Sequence, residues 1–141
     1  MKKLFFILMV LVSFSVYAQS PAETPSVYFT PYSADLRDVS TEMAISNFQT
    51  FAQVARLLAD NPQYRVLVDG HANAVLGTTT EEREMLRPLS RQRAEAAAEF
   101  LAAYFNIGWH RLIVSGAGGN YPLSGLDGSL NRRVSFTVVR P

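Results

Sequence analysis

Apolar residues recur at three- and four-residue steps between Thr41 and Asp60, at Ala44, Phe48, Phe51, Ala55 and Leu58. That spacing draws one stripe along an α-helix. Ser40 or Thr41 can cap its start. Asn61-Pro62 stops it, because proline cannot continue a helix and restricts the residue before it. A second stripe, Ala94, Ala97, Ala98, Leu101 and Phe105, predicts a helix that opens at Leu89-Ser90, with Ser90 as cap, and ends at Gly108. Short apolar runs at 26–29, 65–68, 111–115 and 134–139 predict strands, the second closed by Asp69-Gly70. The predicted order is β-α-β-α-β-loop-β. It gives an α/β sandwich with a mixed four-stranded sheet and two main helices on one face. The stretch 71–88 carries Glu81, Glu82, Arg83 and Glu84 and reads as a solvated insertion, with a short exposed helical turn as the alternative. Five of the eight glycines fall in 116–131, a loop in which they serve tight turns. Trp109 and Tyr121 are expected in the core, with flanking a sugar or peptide as the alternative.

The first residues follow another pattern. Lys2 and Lys3 precede an apolar run, 4–16, and Val16-Tyr17-Ala18 offers small residues at the −3 and −1 positions of a cleavage site. This is the layout of a secretory signal peptide, cut after Ala18. The run falls short of the ~20 residues that cross a bilayer as a helix. The expected organisation is a signal peptide over 1–18, a linker over 19–25 and one domain over 26–141. No transmembrane span is expected after cleavage, and the expected location is the periplasm, with outer-membrane association open.

Composition narrows the chemistry. The chain has no cysteine, which excludes thiol catalysis, disulfides, Cys-ligated metals and a lipid anchor of the cysteine type. Both lysines lie in the signal peptide, so 13 − 2 = 11 arginines face 12 acidic residues in the remainder. A near-neutral domain lacks the basic footprint of a nucleic-acid binder.

Arg91 and Arg93 stand out. With Ser90 as cap they occupy the first and third helical positions, where cations cost ~0.3–1 kcal/mol each against the helix dipole. An anion beside them offsets that cost, and helix N–H groups already bind carboxylates. The alternative is a solvated Arg91 and an Arg93 paired with an internal carboxylate such as Asp69. Before the last strand stand Asn131-Arg132-Arg133-Val134. Strand alternation lets only one of these two arginines join Arg93, the other being surface. Ser90, His71 and Asp69 can be written as a catalytic set, but Ser90 is better explained as a cap and His71 as a structural histidine. Asp69 and His71 alone do not make a metal site. Neither catalysis nor a cofactor is expected.

Gly70-His71, then Leu89-Ser90-Arg91-Gln92-Arg93-Ala94, then Asn131-Arg132-Arg133-Val134 together resemble the OmpA-like domain, whose pattern runs GHTD, N-x-x-LS-x-x-RA and NRRV. Val27-Tyr28-Phe29 is similar to that family's first strand, and the resemblance covers roughly residues 26–141. It implies noncovalent binding of the peptidoglycan stem peptide. An Asp of GHTD takes the ammonium of meso-diaminopimelate, and the Arg of the RA pair takes its carboxylate. Carried over, the carboxylate contacts are Arg93 and Arg132. His71 and Asp69 accompany Asn73 as candidate contacts on the amine side.

The chain departs from the pattern at the amine. GHTD reads Gly70-His71-Ala72-Asn73, so Asn73 replaces the Asp. Losing a charge-assisted hydrogen bond costs roughly 1–2 kcal/mol. The family's Asn before LS falls on Leu86, Tyr32 stands where the first-strand loop often carries a small polar group, and the gap after Asn73 is longer than usual. Three readings follow. The wall's diamino acid differs, Asp69 substitutes for the missing carboxylate, or wall binding is lost and the domain binds another envelope protein.

Overall fold

The computed structural model describes residues 24–74 and 78–141. The expected signal peptide and most of the expected linker, to residue 23, lie outside the described residues. The ordered elements are β1 (Ser26–Tyr28), α1 (Thr41–Asp60), β2 (Arg65–Gly70), α2 (Thr80–Met85), α3 (Arg87–Phe105), β3 (Leu112–Gly116) and β4 (Arg133–Val139). Short 3-10 turns precede β3 and β4.

The strands form one mixed sheet in the order β1-β4-β2-β3. β4 runs antiparallel to β1 and β2, while β2 and β3 are parallel and joined by the crossover through α3. Val66 and Val68 point to the helices and Arg65, Leu67 and Asp69 point away, as strand alternation requires. The core joins Phe51, Val54 and Leu58 of α1 and Ala94, Ala97, Ala98 and Leu101 of α3 to Val27, Val66, Val68, Val134 and Phe136 of the sheet. Alanines let α3 approach closely. A Cβ on Gly70 would stand 1.8 Å from the Ser90 carbonyl oxygen, so β2 and α3 can meet there only at glycine.

Four expectations are corrected. Ser90 is not a helix cap. α3 begins at Arg87 with Pro88 in its first turn, where a proline fits because no intrahelical donor is needed. Ser90 is buried one turn in, and its hydroxyl donates to Arg87 O and accepts from Gly118 N–H at 2.8 Å. The acidic run is a short helix, α2, started by a capping box between Thr79 and Glu82. On α1, Ala44 and Phe48 are exposed and Asn47 is buried. The Asn47 amide accepts from Tyr28 N–H and donates to Tyr28 C=O, each at 2.9 Å, so it completes the outer side of edge strand β1. Trp109 and Tyr121 are exposed rather than core.

Candidate ligand-binding site

The ends of β1 and β2, the first turns of α3 and the residue before β4 converge on one cavity of about 340 Å³. Arg93 and Arg132 line it together with Asn73, and Pro31, Tyr32, Ala72, Leu86 and Leu89 supply the rest of its wall. Arg93 is 1% exposed. It sits seven residues into α3, past the first turn, so the expected clash with the helix dipole does not arise.

The Arg93 guanidinium donates to three backbone carbonyls: Ser33 at 2.8 Å, His71 at 3.0 Å and Thr30 at 3.2 Å. Its central carbon lies 5.5 Å from the Phe29 ring centroid. Among the described residues it has no carboxylate partner, Asp69 included. Burial, and then repulsion from Arg132, lowers its pKa to about 10. Arg132 is half-buried, and its Nε donates to Phe29 O at 3.3 Å. Two cations thus share one cavity, and among the described residues no acidic side chain lines it.

Asn73 borders the same cavity, with its Oδ1 accepting from Asn131 Nδ2 at 3.0 Å. Asn131 also accepts from Leu123 N–H and Ser124 N–H, which ties the 120s loop to the end of β2.

Asp69 and His71 lie elsewhere. Because Gly70 faces α3, its neighbours point to the opposite side of the sheet. There they line a second cleft of about 470 Å³ with Arg133, Ser135 and Tyr121. Asp69 Oδ2 is 3.4 Å from His71 Nε2, and Ser135 Oγ is 3.5 Å from that same nitrogen. A relay needs the acid and the hydroxyl on different ring nitrogens. Ser90, on the helix side, is not part of this group. Arg133 is buried rather than surface, donating to Tyr121 O at 3.2 Å under the 120s loop, and burial lowers its pKa. Among the described residues no three His, Cys, Asp or Glu side chains gather as a metal site.

The OmpA family profile matches residues 28–133. The chain belongs to the OmpA family. No curated protein matches it. Among solved structures it is similar to the peptidoglycan-associated lipoprotein of Burkholderia pseudomallei, with 23% identity and a TM-score of 0.64 over 86% of this chain and 95% of that one. It is also similar to the OmpA-like domain of FopA1 from Francisella tularensis, at 23% identity and TM-score 0.64 over 81% and 69%. The periplasmic domain of Helicobacter pylori MotB follows at 16% identity and TM-score 0.58 over 81% and 71%. At these identities the likeness is one of fold, and it agrees with the mixed sheet and two long helices described above. In this OmpA-family domain, Tyr32 and Leu86 were legible as departures from the motif. Pro31 was not, since an apolar wall residue beside a motif has no signal of its own; Ala72 and Leu89 lie inside the motif blocks but carried no sign of lining a cavity. No helix among the described residues is long and apolar enough to cross a membrane.

Proposed function

We propose that this domain associates noncovalently with peptidoglycan, holding a carboxylate of the stem peptide between Arg132 and Arg93, with Asn73 as a weakened contact for its amine. One observation carries the reading: two guanidinium groups share a cavity without an acidic side chain, and Arg93 has its pKa lowered to about 10 there. A cation that is both desolvated and repelled is stabilised by an anion brought beside it. The likeness to a peptidoglycan-associated lipoprotein supports the choice of wall material as that anion's source. Asn73 offers no charge, and its oxygen is already engaged by Asn131, so the amine side contributes little. His71 acts only through the carbonyl that receives Arg93, and Asp69, on the other face of the sheet, takes no part. The role is binding rather than catalysis, in the periplasm after signal cleavage, with the outer membrane as neighbour.

Co-sedimentation with purified sacculi tests this. The wild-type chain is expected to pellet with the wall, and Arg132→Ala to remain in solution. Arg132 is the variant of choice because Arg93 also holds three loop carbonyls.

A second reading is an OmpA-like module that has lost wall binding and contacts another envelope protein. The exposed apolar side chains of the 120s loop favour it, Leu126 at 98% and Tyr121 at 68% exposure. Sedimentation that is absent, or unchanged in Arg132→Ala, selects this reading.

A further inference from the structure

The carboxylate cavity has a cationic floor and apolar walls, and one wall residue is in an unusual state. Tyr32 has φ 59°, in the left-handed region that costs a bulky side chain dearly. Its side chain is nevertheless 91% exposed, so it adds nothing to the core. It borders the cavity on one side and a broader groove of about 850 Å³ on the other. Arg93 imposes the conformation. Its guanidinium bonds Thr30 O and Ser33 O, which flank Tyr32, and the turn closes with Ser33 N–H on Thr30 O. Glycine or asparagine would rest there at lower cost. The fold therefore gives no reason for an aromatic at this position.

The other walls carry the same message. Leu86 and Leu89 offer nothing to an ammonium, and the Asn73 oxygen is engaged. An ammonium entering here meets two guanidinium charges and no carboxylate.

We propose that the cavity selects a carboxylate carried on an apolar, uncharged group and discriminates against one carried on a group that bears an ammonium. This rests on the carboxylate half of the reading above and replaces its amine contact at Asn73. Arg132, whose side chain makes a single hydrogen bond among the described residues, takes the carboxylate. Tyr32 and Leu86 cover the apolar part. Arg93 is the positioning residue that holds the Tyr32 turn shut. On the wall, the group so recognised is a stem-peptide end with an apolar residue rather than the amine-bearing arm of the diamino acid.

Three probes and two variants test it, read by heteronuclear NMR titration of the chain as secreted. N-acetyl-leucine presents a carboxylate and an apolar group, Nα-acetyl-lysine adds an ammonium, and N-acetyl-leucinamide lacks the charge. N-acetyl-leucine is expected to bind about tenfold or more tightly than the lysine derivative, and the amide not to bind. Tyr32→Gly is expected to hold or raise Tm by removing strain, yet to weaken N-acetyl-leucine roughly 2- to 10-fold. A purely structural tyrosine would not separate the two readouts. Equal binding of the leucine and lysine derivatives, no binding of N-acetyl-leucine, or an unchanged affinity in Tyr32→Gly overturns the proposal. If any of these occurs while Arg132→Ala still abolishes sacculus binding, the wall reading stands and the selectivity alone is lost. If sacculus binding also ignores Arg132→Ala, both are lost.

Discussion

Asn73 accepts a hydrogen bond from Asn131 at 3.0 Å, so the residue that replaces the family's Asp is part of the brace holding the 120s loop. Asn73→Asp keeps the acceptor and adds a charge beside Arg93 and Arg132. Those cations depress the new carboxyl's folded-state pKa. The stability gained is present above the unfolded value of about 3.9 and is lost as pH falls through the folded one. Tm at neutral pH is expected to rise, and the rise to vanish in acid. The new carboxylate also competes with a carboxylate-only ligand, so N-acetyl-leucine should bind more weakly in this variant. A neutral-pH Tm unchanged or lowered would show that the residue does not sense the two arginines.

The pair Arg93 and Arg132 gives a second test without mutation. Arg93 is a base whose folded pKa, about 10, lies well below the usual guanidinium range. The unfolded state binds the extra proton, so this group makes stability rise with pH only from about 10 up to the usual guanidinium range. At neutral pH its cost is present in full. A bound carboxylate offsets that cost there, and the chain should show a saturable rise in Tm with N-acetyl-leucine at pH 7. The rise should shrink as pH passes 10 and Arg93 discharges. It should be absent in Arg132→Ala at any pH. Thermal melts across that range read all three.

The Asn47 amide serves both backbone groups of Tyr28 from a helix otherwise packed by apolar side chains. Asn47→Ala leaves a buried N–H and C=O without their partner at the sheet edge, which costs about 1–3 kcal/mol. Urea unfolding should show a lower midpoint with an unchanged slope. The Tyr28 amide should exchange faster with solvent than the amides of β2. If Asn47→Leu is as stable as wild type, the edge needs no side-chain partner and the assignment fails.

Periodicity made both helices and all four strands legible, because each buries one face against the same core. Side chains that break the pattern for a reason were not legible. Asn47 sits in an apolar stripe because an edge strand needs a donor and an acceptor, a need that belongs to β1 and is invisible within α1. Ser90 looked like a cap because serine favours helix starts. The structure spends its hydroxyl on a loop 28 residues away. The candidate site was half legible: its two arginines lie in motif blocks, but Arg93 is buried past the first turn of α3 rather than held at a helix start. Asp69 and Asn73 stand four residues apart, a spacing that alternation would put on one face; β2 ends at Gly70, and the irregular chain beyond it carries Asn73 to the cavity side.

Ser90→Ala separates the two accounts of that serine. As a helix cap, its loss would fray the start of α3 and expose the amides of the first turn. In the structure the hydroxyl instead receives the buried Gly118 N–H, whose residue lies at φ 63° with no room for a Cβ beside Arg83 O. Removing the hydroxyl leaves that N–H unpaired at a cost of about 1–3 kcal/mol. The loop should loosen while the helix stays. Amide exchange at Gly118 and its neighbours is expected to accelerate, with the first turn of α3 unaltered and Arg93 still holding the Thr30–Ser33 turn. Accelerated exchange confined to residues 87–91 would mean that Ser90 caps the helix after all.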